Sequence, residues 1–253
     1  MITMSGFEHA ILKLISQSRG PIGQGTLSLL LRGQGYTLST PTVGRRLQEL
    51  EFRRLVRKVS MDGRVLTATG LQALRQWDAD AQLRSRQQSL LDTLKRGDKK
   101  HLLDLLTARR AIECEAVALA AEHVTPRSIK RMEQLLSEQA ARVAAGELGI
   151  DQDVAFHHEI ACASGNSILS SIVALLRNHD RYNFVITSMR AMVGSRLVVD
   201  HTAILDAIKQ RNPTAARAAM EQHLGKIAND LERYWDRWVS EKQPAGRRDG
   251  HKR

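Results

Sequence analysis

Hydrophobic residues recur every three to four positions over most of the chain, which is the spacing of α-helices with one buried face. In the C-terminal two thirds this pattern predicts helical segments over residues 83–123, 126–145, 152–163, 167–210 with breaks, and 213–238. Three helix starts are also marked by a capping residue followed by proline: Thr40-Pro41, Thr125-Pro126 and Asn212-Pro213. We therefore expect this part of the chain to be entirely helical.

The first 70 residues show a different order of elements. Helical patterns cover residues 9–18 and 25–32, and a third helix is predicted to begin at Pro41. Two short β-type runs follow, with Met61-Asp62-Gly63 between them. An Asp-Gly turn between such runs predicts a β-hairpin. Three helices and a hairpin are the element order of a winged helix-turn-helix.

The predicted fold is mainly α, with an N-terminal winged helix-turn-helix that has a small β-hairpin wing, plus a C-terminal all-α helical bundle. A chain of 253 residues is long enough for two separate cores. The expected divisions are a winged-helix domain, a connecting helix and linker, a helical domain and a disordered tail, over residues 1–70, 71–100, 101–238 and 239–253.

Charge is concentrated at the N-terminal end. The net charge of +11 suits an anionic partner such as nucleic acid, although ribosomal and membrane-surface proteins share that balance. Residues 1–77 hold eleven Lys or Arg against four Asp or Glu, which leaves +7 in under a third of the chain. A basic helix by itself is usually a solvated face, but the hairpin that follows and the charge asymmetry favour a DNA-binding domain.

The third helix carries the predicted base contacts. Val43, Leu47 and Leu50 fall on one face and predict its buried stripe. Arg45 and Arg46 then face outward, where either can donate hydrogen bonds to guanine O6 and N7 in the major groove. The other DNA contacts are expected from polar and basic residues of the helix and the wing: Thr40, Thr42, Arg53, Arg54, Lys58 and Arg64.

The N-terminal segment also resembles a known type of winged helix. The similarity runs from Ile11-Leu12 through Pro-Ile-Gly at 21–23 to Leu-Thr-Ala-Thr-Gly at 66–70, and it is to the domains at the front of NrpR-type repressors. The resemblance implies a sequence-specific DNA reader. A single small reader contacts few base pairs, so we expect a homodimer on a two-fold symmetric operator of double-stranded DNA.

Four side chains with metal-ligand chemistry lie on apolar stripes of predicted helices: Asp153, His157, His201 and His223. A single inward histidine is usually a satisfied core residue. Four such groups in helices that must pack together need a common partner, because burying them without one is unfavourable. A divalent metal is such a partner; zinc is expected first, with nickel, manganese or iron as alternatives.

The same segments resemble the FadR C-terminal ligand-binding (FCD) domain of bacterial GntR-type repressors. The similar motifs cover residues 100–235 and include Asp153-Val-Ala-Phe-His157, the later His201 and His223 segments, and Arg109-Arg-Ala-Ile-Glu113. The resemblance implies a repressor that responds to small acids, with those four residues as its metal ligands. The usual GntR turn, Leu-Pro-Ser-Glu, is replaced here by Pro-Ile-Gly-Gln-Gly at 21–25.

Arg109 is the predicted effector-binding residue. It shares a stripe with Leu105 and Ile112, so its guanidinium should point into the bundle, where an acid's carboxylate could form a bidentate pair. Glu113, four residues later, is the competing partner, and an internal Arg109–Glu113 ion pair stands as an equal alternative.

Other functions remain open from the residues alone. A metal-dependent hydrolase could use Glu113 as its general acid or base, and a DNA binder could carry a purely structural metal. We expect no enzyme, since a hydrolase gives no reason for a +7 winged helix. Only Cys114 and Cys162 are present, the start lacks a signal-peptide pattern, and we expect a cytoplasmic protein.

Overall fold

The computed structural model describes residues 4–60, 63–178, 180–194 and 197–242. It divides into two compact units, Met1–Leu90 and Leu91–Arg253, each with its own hydrophobic core. Within the described residues, no helix combines the length and the apolar composition needed to cross a membrane.

The first unit has the predicted order of a winged helix. Its elements are α1 (Gly6–Gln17), α2 (Gln24–Gly33), α3 (Thr40–Phe52), β1 (Val56–Ser60), β2 (Gly63–Leu66) and the start of α4 (Ala68–Leu94). The predicted start of α3 is wrong by one residue. Ser39, not Thr40, is the N-cap, and its hydroxyl accepts a hydrogen bond from the backbone N–H of Thr42.

The wing is an antiparallel hairpin, as predicted. Val56 pairs with Leu66 and Lys58 with Arg64, and the register shifts between Lys58 and Ser60. Met61 and Asp62 of the predicted turn lie outside the described residues. Gly63 has a φ of +142°, and a Cβ there would lie 2.3 Å from the backbone of Ile22, so only glycine fits this close approach.

The second unit is all helical after the end of α4. Its helices are α5 (Lys99–His123), α6 (Pro126–Ala144), α7 (Ile150–Ala163), α8 (Ser167–Arg177), α9 (Asp180–Met192), α10 (Leu197–Lys209) and α11 (Pro213–Lys242). Helix α5 packs against α7, α8, α10 and α11. The capping residues Thr125 and Asn212 lie directly before α6 and α11, where the two proline motifs predicted helix starts.

Two sequence-based boundaries differ from the structure. The segment 83–123 is not one helix, because the chain leaves helical geometry after Leu94 and Asp98 caps a new helix. At the other end α11 continues to Lys242, past residue 239 where a disordered tail was expected. Residues 243–253 lie outside the described part of the chain.

Candidate metal centre and DNA-contact surface

Three histidines from three different helices meet inside the second unit. His157 lies on α7, His201 on α10 and His223 on α11, and each is at most 2% exposed. One ring nitrogen from each lies within 4.8 Å of those of the others. The Nε2 atoms of His157 and His201 are 3.4 Å apart. Such a cluster could hold one metal ion.

Asp153 lies one turn before His157 on α7 and faces the same cluster. Its Oδ1 is 3.2 Å from Nε2 of His201 and 3.9 Å from Nε2 of His157. The structure therefore brings all four sequence-predicted ligands into one buried region.

Two acceptors orient the imidazole rings from outside the cluster. Nδ1 of His157 lies 2.5 Å from Oε2 of Glu113, and Nδ1 of His201 lies 2.9 Å from Oε1 of Gln139. Carboxylate and amide oxygens only accept, so each Nδ1 carries the proton and donates it. In the neutral rings, the Nε2 lone pairs of His157 and His201 then point at each other and at Asp153. A cation between them would relieve that repulsion.

The surroundings of His223 also favour a bound cation. Both of its ring nitrogens are buried, and neither has a hydrogen-bond partner within the described residues. The nearest carboxylate oxygen, Oδ2 of Asp200, is 3.7 Å from Nδ1, which is too long for a hydrogen bond. A buried imidazole without partners is unfavourable, and a metal ion would supply the missing partner.

The protonation states suit metal binding at neutral pH. Burial lowers the pKa of His223 to about 3, so its ring is neutral. Burial works to raise the pKa of Glu113, but Arg109 and His157 hold it at about 2. Burial also opposes ionisation of Asp153, yet its interactions with His201, above all, leave its pKa below the usual value. Neutral imidazoles and an ionised carboxylate are the forms that bind metals.

The buried charges around the cluster balance before any ion is added. Asp153 and Glu113 are two acids, and Arg109 and Arg177 are two bases; Asp153 is 9% exposed and the other three are 2% exposed. A divalent ion would add two positive charges to this region, which favours an accompanying anion. The donor set of imidazoles and a carboxylate fits zinc and the other divalent ions considered from the sequence.

Arg109 makes the ion pair that was the alternative to effector binding. Its Nε donates to Oε1 of Glu113 at 2.6 Å, and its Nη1 donates to the hydroxyl of Tyr182 at 2.7 Å. All three side chains are buried. Both ends of the guanidinium are therefore already hydrogen-bonded within the protein.

Arg177, at the end of α8, is a polar residue of this region that sequence reasoning missed. It is 2% exposed, and its Nη2 donates to Oδ2 of Asp153. Its Nη1 lies 3.9 Å from Oε2 of Glu113. The available signal was its position four residues after the buried Val173, on the apolar stripe of α8.

The winged helix presents Arg45 and Arg46 on the outer face of α3. Both are exposed, whereas the stripe formed by Val43, Leu47 and Leu50 is fully buried. Arg46 pairs with Glu49 at 2.5 Å on the surface. Within the described residues, Arg45 forms no ion pair.

The remaining predicted DNA contacts divide into two groups. Arg53 donates to Oε1 of Glu8 at 2.7 Å, and Nε of Arg64 donates to Oε2 of Glu51 at 3.1 Å, so both guanidinium groups are engaged within the unit. Arg54 and Lys58 are exposed.

The two threonines also make internal contacts. Thr40 Oγ1 is 3.4 Å from the hydroxyl of Ser28, and Thr42 Oγ1 is 2.9 Å from that of Ser39. Both side chains are only half-buried, which leaves part of their surface open to a partner.

Comparison with known families gives two matches. The FCD domain family matches residues 104–226, and the Ribonuclease R winged-helix domain family matches residues 9–74. The resemblance of the first segment to NrpR-type repressors stays a prediction.

Curated relatives include two bacterial regulators. The HTH-type transcriptional regulator LutR of Bacillus subtilis is 31% identical over 150 residues, which are 56% of this chain and 66% of that protein. The Exu regulon transcriptional regulator of Escherichia coli is 31% identical over 157 residues, 56% of this chain and 58% of that protein. The chain thus spans less than two thirds of the length of these relatives. Among solved structures, E. coli McbR/YncC has a TM-score of 0.49 and 15% identity, covering 90% of this chain and 94% of that one.

Proposed function

We propose that this member of the GntR-type regulators with an FCD domain is a sequence-specific DNA-binding repressor controlled by a small carboxylate at a metal site. The observation that carries the proposal is the cluster of His157, His201 and His223, whose ligand nitrogens lie within 4.8 Å of one another in the same chain as a basic winged helix. We propose that it acts in the cytoplasm, where its free Cys114 and Cys162 would stay reduced.

In this proposal Asp153, His157, His201 and His223 hold one divalent ion, with zinc as the first expectation. The bound ion would supply an open coordination position for an oxygen of the acid. Glu113 and Gln139 hold the His157 and His201 rings in the tautomer whose Nε2 faces inward, which is the usual outer support of a histidine ligand.

Arg109 remains the proposed partner of the acid's carboxylate. To bind it, Arg109 would have to exchange at least one hydrogen bond to Glu113 or Tyr182 for one to the acid. Charge favours the exchange once an ion is present, because the balanced buried charges then carry an excess of two positive units. Because Arg109 lies on α5, this rearrangement would couple binding of the acid to the position of that helix.

At the other end, α3 is the proposed recognition helix of each protomer in a homodimer on a two-fold operator. Arg45 is the best placed base reader, since it is exposed and makes no ion pair within the described residues. Arg46 can read a base after releasing Glu49, and Lys58 and Arg54 are placed for phosphates.

A metal-dependent hydrolase is less well supported. It would need Glu113 as a general acid or base near neutral pH, but Arg109 and His157 occupy both carboxylate oxygens and hold its pKa at about 2. A structural metal with no effector fits the cluster equally well, so the experiment must separate it from a sensor.

The test uses full-length protein and DNA selected from a random pool. Affinity for the selected DNA is measured with zinc-loaded and chelator-treated protein, each with and without small carboxylic acids. A regulator should select a symmetric sequence and change its affinity with acid only when loaded with metal. Selection without any sequence preference contradicts DNA-reading, and metal dependence without any acid response identifies a structural metal.

A further inference from the structure

His223 differs from the other two histidines of the cluster, whose Nδ1 atoms donate to Glu113 and Gln139. Both ring nitrogens of His223 are buried, and neither has a hydrogen-bond partner within the described residues. A neutral imidazole always carries one N–H, and burying that group without an acceptor is unfavourable. A metal ion can bind only the nitrogen that lacks the proton, so the other nitrogen still needs an acceptor.

Asp200, in the first turn of α10, is placed to be that acceptor. It is 8% exposed, and its Oδ2 lies 3.7 Å from Nδ1 of His223. Its Oδ1 accepts from Nζ of Lys226 at 2.6 Å, whereas Oδ2 accepts from Nη2 of Arg190 over a longer distance of 3.2 Å. A carboxylate oxygen can accept two hydrogen bonds, so Oδ2 can also accept from His223 after a small movement of the ring.

The charge of Asp200 also selects which nitrogen of His223 is protonated. With the proton on Nδ1, the N–H faces the negative Oδ2 of Asp200; with the proton on Nε2, the lone pair of Nδ1 faces it instead. The first arrangement is attractive and the second is repulsive, even at 3.7 Å. The favoured ring keeps its lone pair on Nε2, and a lone pair is what a metal ligand needs.

We propose that Asp200 is a positioning residue for the metal site, which holds His223 in the tautomer protonated on Nδ1 and so leaves Nε2 as the ligand atom. Arg190 on α9 and Lys226 on α11 hold the carboxylate from two sides, so its position is set before metal binds. Histidine ligands commonly donate their second N–H in this way. The choice of tautomer depends on Asp200 and His223 alone, whereas the effect on metal affinity rests on the proposed function.

The tautomer is measured by NMR on full-length, metal-free protein at neutral pH, with histidine isotopically labelled at its ring nitrogens. Couplings between ring nitrogens and ring protons distinguish the two tautomers, and the signals of His223 are those lost in His223→Ala. We expect the proton on Nδ1 in the wild type and a mixture of tautomers in Asp200→Leu, which removes the acceptor. A wild-type ring protonated on Nε2 would overturn the proposal.

Zinc affinity, measured by competition with a chromogenic chelator, tests the positioning role. Asp200→Leu should bind zinc at least about tenfold more weakly than the wild type. Asp200→Asn should recover most of this loss, because an amide oxygen still accepts, as that of Gln139 does for His201. Asp230→Leu is the matched control. Asp230 lies 3.3 Å from the same Arg190, so this variant also removes an ion pair, but it should bind zinc as the wild type does.

The outcomes separate the role of Asp200 from the metal site itself. If the wild type binds no zinc, the proposed metal site is refuted and the positioning role with it; if Asp200→Leu binds zinc as well as the wild type does, only the role of Asp200 is overturned. Equal losses in Asp200→Leu, Asp200→Asn and Asp230→Leu would assign the effect to the ion pairs of Arg190 and also overturn it. Weaker binding confined to Asp200→Leu supports the proposal, and the wild-type tautomer decides it if that variant does not fold.

Discussion

The two units of this chain place their charges in opposite ways. Among the described residues, the first unit buries two polar side chains, Glu8 and Ser28, and keeps its arginines and lysines at least partly exposed. The second unit buries thirteen polar or charged side chains, including three arginines.

The difference points to two kinds of partner. Exposed charge acts over about a Debye length in water, roughly 8–10 Å, and suits a large polyanion that approaches from outside. Buried charge is unfavourable unless it is paired, and the paired cluster of Asp153, Glu113, Arg109 and Arg177 suits the proposed site for a small ligand. The contrast can be tested by perturbing one unit at a time.

The largest expected effect comes from breaking the buried charge cluster. Glu113→Gln removes the acid that pairs with Arg109 and orients His157, and it should lower the free energy of unfolding by about 3–5 kcal/mol. Glu115→Gln on the same helix is the control, because its pair with Arg217 is half exposed and should contribute at most about 1 kcal/mol. Urea denaturation measures both; equal losses would contradict the importance of burial.

Metal removal should give the next largest effect. At a hundredfold excess of zinc over its Kd, binding to the native state alone stabilises by about 2.7 kcal/mol, so a chelator should lower the melting temperature. His223→Ala should lose most of this response, whereas His158→Ala, at an exposed position of α7, should keep it. A melting temperature insensitive to chelator in protein shown by elemental analysis to hold zinc would refute the metal site.

The corresponding test of the first unit is Arg45→Ala. Loss of a base-reading arginine should weaken binding to the selected DNA by about 1–3 kcal/mol and relax specificity at one base pair. Arg46→Ala should have a smaller effect because Arg46 already pairs with Glu49. Neither change should alter zinc content. If both variants bind DNA as the wild type does, α3 is not the recognition helix.

Acid should destabilise the metal-free second unit. Burial lowers the pKa of His223 from 6.5 to about 3, so between these values the unfolded chain binds a proton that the native protein does not. Stability therefore falls as the pH decreases from 6.5 toward 3, by up to about 1.4 kcal/mol per pH unit for this one group. Urea midpoints across this range measure the slope, which should be smaller in His223→Ala; an unchanged slope would contradict a buried neutral ring.

The smallest predicted effect concerns two basic residues of the wing: Lys58, which is exposed, and Arg64, which pairs with Glu51. Lys58→Ala should reduce the slope of log affinity against log salt by about 1, as expected for one lost phosphate contact. Arg64→Ala should reduce it less, because Arg64 pairs with Glu51 and its side chain is only 14% exposed. A larger reduction for Arg64 than for Lys58 would show that the ion pair opens on DNA.

Local patterns were sufficient for much of the fold and part of the candidate site. The starts of α6 and α11 follow from Thr125-Pro126 and Asn212-Pro213, since capping depends only on neighbouring residues. The same logic fails by one residue at α3, where Ser39 and Thr40 can both cap and the structure uses Ser39. The break after Leu94 was missed because the hydrophobic period continues across it.

The spacing of apolar residues alone indicates which face of each helix is buried, and it therefore predicts that Asp153, His157, His201 and His223 point inward. What those side chains contact depends on how the helices pack: Glu113 lies between Arg109 and His157, Gln139 reaches His201, and Arg177 donates to Asp153. The two kinds of feature depend on different parts of the chain. A 3.6-residue period records burial, which is a property of one helix, whereas a hydrogen bond between helices depends on their relative position and rotation, which the packing of the whole core sets.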